Sequence, residues 1–143
     1  MSRLIETRAE FQQLAEERLV EAKALLNLSR WDGAYYLAGY AVELALKACI
    51  IKGLMATDAF PDKEFSRNCY THAIDKLVGL ARLADELKVA TSADAVFQAN
   101  WNLARDWTEE KRYHRMTQAE TEALYTAIAD AAHGVFQWIK ARW

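Results

Sequence analysis

Proline is almost missing from this chain. There is one, Pro61, in 143 residues, with five glycines. So few backbone breakers leave helix as the default. Cysteine is nearly as scarce: Cys49 and Cys69 make neither a disulfide framework nor a metal cluster. Cys49 lies in an apolar run and reads as a small core residue. Charge of one sign is also lacking, with 18 basic and 20 acidic residues and a net charge of -2. No global field draws nucleic acid, so any such binding needs a local basic patch. The opening "MSRLIETRAEF" has no apolar h-region, which predicts no signal peptide and a reducing, cytoplasmic setting. Neither a glycine-rich phosphate loop nor a nucleophile elbow occurs. Three scattered histidines and two cysteines show no metal-ligand spacing, so neither a metal nor a cofactor is expected.

What is present is globular: 52% hydrophobic and 27% charged residues. The length fits one domain over residues 1–143. No segment alternates with period two, no linker divides the chain and nothing repeats. The spacing predicts five helical segments. The first covers about Thr7 to Leu28, with Phe11, Ala15, Leu19, Ala22 and Leu26 as its apolar stripe. Asp32 is a plausible N-cap for a second, Gly33 to about Lys52, which Gly53 would stop. Leu54 to Tyr70 reads as a loop. A third begins near Thr71, capped by Thr71 or Asn68, and runs through "THAIDKLVGLARLA". A fourth covers about Ser92 to Trp107. After a polar corner, "TEEKRYHRMT", a fifth starts behind Thr117 at the capping-box match "TQAE" and runs to about Ala141. The fold class is therefore all-α, an up-and-down bundle of four main helices plus a short extra helix.

The second helix, "AYYLAGYAVELALKACII", is apolar on nearly every side. Ala34 to Ile51 is 18 residues, close to the lower limit for a membrane span. Glu43 and Lys47 near its centre would each cost roughly 2.5–3.5 kcal/mol on insertion, so a buried core helix is expected. Gly39 in mid-helix costs about 1 kcal/mol against Ala, which implies a packing reason. Glu43 and Lys47 are spaced i, i+4 with the acid first. They mark either a narrow solvated strip or a partly buried pair at a groove or facing a second subunit.

The stretch "WDGAYYLAGYAVELALKACI" resembles the signature helix of the HEPN family (higher eukaryote and prokaryote nucleotide-binding domains). That helix is a Tyr-Ala-rich run leading into Glu-x-x-x-Lys, matched here by Tyr36, Glu43 and Lys47. "THAIDKL" is similar to the family's His-x-x-x-x-Leu opening of the third helix, through His72 and Leu77. "DWTEEKRYHRM" resembles its Trp-x-x-x-x-Arg-Tyr corner, through Trp107, Arg112 and Tyr113, and "VFQWIK" resembles its ending. The resemblance runs from about Leu19 to the end. It implies the bundle named above, commonly a homodimer. Members include ribonuclease toxins, partners of minimal nucleotidyltransferases, often in toxin–antitoxin contexts, and non-catalytic binding modules. The ribonucleases share Arg-x(4–6)-His near the start of a late helix, and dimerisation pairs two copies of it.

"RNCYTH" places Arg67 and His72 at that spacing. A histidine can move a proton near neutral pH and an arginine can hold a phosphate. The position is wrong, however: His72 matches the non-catalytic histidine that opens the third helix. At the late position, Arg105 and His114 have eight residues between them and Arg112 and His114 have one. Neither fits, so no catalytic residue is assigned; Arg67, His72, Arg105 and His114 remain candidates. The corner itself gathers Lys111, Arg112, His114 and Arg115 with Trp107 and Tyr113 interleaved. Such residues can pair phosphate and stack a base, although Asp106, Glu109 and Glu110 reduce the local positive field. The plain alternative is a solvated corner in which Arg112 pairs with a carboxylate and Tyr113 packs on the bundle. His133 reads as a structural histidine on the fifth helix. The tryptophans read as core and seam residues, with Trp143 a weak subunit-contact candidate.

Three functions follow. The first is a non-enzymatic HEPN-type module that binds a nucleotide, RNA or a partner protein such as a nucleotidyltransferase. The second is a metal-independent ribonuclease toxin, and the third a purely structural interaction subunit.

Overall fold

Helix α1, Arg8–Asn27, starts at a capping box: Thr7 Oγ1 accepts from the Glu10 amide and the Glu10 carboxylate accepts from the Thr7 amide. It lies along α2, with Ala15 and Ala22 fully buried. It ends with Ser29 in the left-handed region (φ 58°), where the Arg30 amide bonds to the Leu25 carbonyl and the Ser29 amide to Leu26. The chain is described by a computed structural model over residues 1–143, with eight α-helices, one 3-10 segment and no strands.

Helix α2, Trp31–Thr57, is the axis of the molecule: α1, α4, α7, α8 and the 3-10 segment all pack on it, and thirteen of its residues are buried. Asp32 is not its N-cap. Arg30 holds that position and Asp32 lies inside the first turn. Gly53 does not stop the helix either. It stays helical, and the chain leaves at Asp58, which takes the left-handed conformation (φ 48°) that asparagine and aspartate tolerate best after glycine. No helix is long and apolar enough to cross a membrane.

The predicted loop from Leu54 to Tyr70 contains the end of α2 and a short helix, α3, Lys63–Asn68. Asp62 caps it, accepting from the Phe65 amide at 2.7 Å. The third predicted helix is two. It begins after Thr71, as α4, Ile74–Leu80, and resumes as α5, Ala84–Ala93. Between them Arg82 is left-handed (φ 60°) and the Leu83 amide bonds to the Val78 carbonyl, the same closure that ends α1. Helix α6, Ala95–Arg105, begins later than Ser92, because Asp94 caps it by accepting from the Val96 and Phe97 amides.

The 3-10 segment Glu109–Tyr113 fills the polar corner. Helix α7, Gln118–Ala129, starts at the expected Thr117–Glu120 capping box. It then breaks, and α8 is Val135–Lys140. The Asp130 carboxylate collects the Ala132 and His133 amides, and a Cβ at Gly134 would lie 2.2 Å from the Asp130 carbonyl oxygen. His133 is therefore in this break rather than on a helix. Its Nδ1 meets Asp94 Oδ2 at 2.6 Å and its carbonyl accepts from Asn100, tying the α7–α8 break to the start of α6.

Candidate ligand-binding site

Tyr36, Tyr40, Glu43 and Lys47 follow one another along one face of α2 at spacings of four, three and four. The 3-10 segment and the stretch before α4 both come against this face. Trp107, between α6 and the 3-10 segment, drops its indole onto Gly39. A Cβ there would be 2.1 Å from Trp107 Cδ1, which is the packing reason for a mid-helix glycine. The indole is 1% exposed, lies 5.7 Å from the Tyr36 ring, and its Nε1 has no partner. Trp107, expected among the ligand contacts, is a core residue that presents no open ring face.

Glu43 is 2% exposed, so the solvated-strip reading fails for it and the buried-pair reading holds. Its Oε2 is 3.3 Å from Lys47 Nζ and its Oε1 is 2.9 Å from His72 Nδ1. The other ring nitrogen of His72 is 3.1 Å from Glu109 Oε2. Only the imidazolium donates from both nitrogens, so in that form His72 bridges the two carboxylates. The bridge fastens α2 to the stretch before α4 and to the start of the 3-10 segment. Burial, then the charge of Glu43, pushes the Tyr40 phenol above its ordinary pKa.

This bridge separates His72 from the role its spacing suggested. A general base needs a ring nitrogen free to meet substrate, and both are engaged. Arg67 shares no hydrogen bond or ion pair with His72; it is exposed on α3 and lines a different groove. Arg105, in the last turn of α6, is exposed and forms no ion pair.

The corner after the bridge is laid out differently. Arg112 stands over the Tyr113 ring, 4.9 Å from its centroid, and pairs with no carboxylate. Polar contact with the Tyr113 hydroxyl first, and with Tyr36 after it, raises the Arg112 pKa. Tyr113 is 78% exposed and does not pack on the bundle. The solvated-corner alternative required Arg112 to pair with an acid and Tyr113 to pack inward; neither occurs. Arg115 is tethered: its Nη1 is 2.9 Å from Asp32 Oδ2, and the Met116 amide donates to Asp32 Oδ1 at 2.6 Å. The Met116 amide, and then Arg115, hold the Asp32 carboxyl below its usual pKa. His114 is exposed, and its amide closes the segment on the Lys111 carbonyl.

Two residues had no functional signal in the sequence. Glu109 looked like a diluting negative charge; its Oε2 meets His72 Nε2 at 3.1 Å. Asp32 looked like a helix cap; it anchors the far end of the corner.

A family model described as HEPN domain matches residues 10–142 of the chain. No curated protein and no solved structure matches it.

Proposed function

We propose that this chain, which belongs to the HEPN domain family, is a non-catalytic helical module that binds RNA or a nucleotide at the Arg112–Tyr113 corner. The observation that carries the reading is the exposed Tyr113 ring with a guanidinium over it that pairs with no carboxylate. Such a pair offers a base a stacking face and a phosphate a planar, permanently charged donor. Lys111 extends the positive surface, and the Asp32 tether fixes its exit. The homodimer and a nucleotidyltransferase partner come into this reading from the family alone.

The ribonuclease alternative rests on the Arg67–His72 spacing or on a variant site around Arg105, Arg112 and His114; the first is the one the motif's spacing fits. Against it stand the two carboxylates on His72 and the absence of any contact between the two side chains.

The test is fluorescence anisotropy with a labelled single-stranded uridine oligomer at low and moderate salt. The wild-type chain binds, and Arg112→Ala with Tyr113→Ala weakens binding by roughly tenfold or more, since one stacked base is worth about 1–3 kcal/mol. Wild-type affinity in the double variant removes the corner as the site. No binding of the oligomer or of mononucleotides at either salt leaves only the interaction-subunit role.

A further inference from the structure

A groove lies away from the corner. It lies between α3 and α4, holds about 650 Å³, and is lined by Arg67, Asn68, Tyr70, Thr71 and Lys76 with Gly79 and Leu80 behind them. No acid lines it, in a chain with more acids than bases. Arg67 and Lys76, which approach from different helices, take part in no ion pair and no side-chain hydrogen bond. Some cations of this protein pair with carboxylates, as Arg115 does with Asp32, Lys140 with Glu16 and Arg142 with Glu86. Here two cations are left facing one cavity.

Tyr70 is equally unexplained by packing, at 81% exposed. Its backbone is nonetheless fixed. The Tyr70 amide bonds to the Arg67 carbonyl, the Thr71 amide to Asn68, and the Ala73 amide to Thr71 Oγ1. The turn is thus ordered by its own main chain while the Arg67 and Tyr70 side chains stay free. An ordered backbone lowers the cost of fixing a ligand against it.

We infer that the α3–α4 groove is a second binding site, for a nucleoside phosphate, with the phosphate between Arg67 and Lys76 and the base against Tyr70. Two cations lining one groove suit a phosphate, and an exposed aromatic on the same groove suits a base of any sequence. The volume falls in the range of small-ligand sites. The site is separate from the corner: Thr71 lines it, while the next residue, His72, turns away to Glu43 and Glu109. It goes beyond the corner reading, because it stands or falls on its own residues. It also gives Arg67 a role that needs no histidine.

The experiment measures binding of AMP and of a labelled uridine oligomer to three variants. One is Arg67→Glu with Lys76→Glu. The second is the corner variant, Arg112→Ala with Tyr113→Ala. The third is a charge-matched control, Lys52→Glu with Lys88→Glu, at exposed positions away from both sites. The groove variant is expected to weaken AMP binding at least tenfold while its melting temperature stays that of wild type. For the oligomer, losing two phosphate contacts should lower the slope of log K against log salt by about 1.4. Loss for both probes assigns the groove to free nucleotides as well as strands; loss for the oligomer alone assigns it to a strand. Wild-type affinity for both probes overturns the proposal, as does an equal loss in the charge-matched control. Loss in the groove variant with none in the corner variant keeps the groove and removes the corner; the reverse keeps the corner and removes the groove.

Discussion

His72 and His114 are the two histidines that stand as catalytic candidates in the sequence, and their surroundings are opposite. His72 is clasped by a carboxylate on each ring nitrogen, one of them buried in the central helix. His114 leaves the 3-10 segment into solvent with only its amide engaged. The first is built into the fold. The second belongs to a surface whose side chains are free to meet something else. Sequence spacing favours His72 over His114; their partners reverse that order, committing His72 to the fold and leaving the His114 side chain free. In this molecule the carboxylates make that division. Glu43 and Glu109 hold His72, and no carboxylate holds Arg112.

The widest gap between the two regions should appear in stability. Glu43→Ala removes the buried acid that both Lys47 and His72 face. It should cost about 3 kcal/mol in urea unfolding, the low end for a broken buried pair because His72 is partly exposed. An unchanged midpoint would mean that the bridge is not holding α2 to the corner. Gly39→Ala comes next. Its Cβ overlaps the Trp107 indole, and overpacking of this kind should cost about 2 kcal/mol and shift tryptophan fluorescence. Preserved stability and emission would show that the indole has room to move.

His72→Ala should follow at about 1.5 kcal/mol, the scale of a hydrogen bond to a charged group. His114→Ala should change stability by less than about 0.5 kcal/mol, as a surface substitution without partners does. Thermal melts of the two side by side sharpen the comparison; equal effects would erase it.

Much of the fold was legible in the sequence because its signals are local. The Thr117–Glu120 capping box and the unbroken apolar run of α2 each declare themselves within a few residues, and the family signature reinforced the second. The break at Ser29 was legible, but later ones were not: Asp58 and Arg82 take left-handed conformations without being glycine, and the glycine that looked like a stop, Gly53, is helical. The α7–α8 break depends on Asp130 collecting two amides, which resembles an ordinary helical acid until the chain has folded. The candidate site shows the same limit. Arg112 and Tyr113 were readable as adjacent residues. The bridge from Glu43 through His72 to Glu109 was not, since it joins three distant segments, and spacing offered Glu43 only Lys47 as a partner. Trp107 was misassigned because an aromatic beside basic residues looks the same whether its ring faces solvent or a glycine.

The central claim is that this protein holds RNA without cutting it, with His72 structural. The direct measurement is the length distribution of a single-stranded and a structured RNA after incubation with saturating wild-type protein in chelator, read on a denaturing gel. Both RNAs are expected to be bound and recovered at full length. Cleavage in the wild type that is lost in His72→Ala or His114→Ala would contradict the account and name the catalytic histidine.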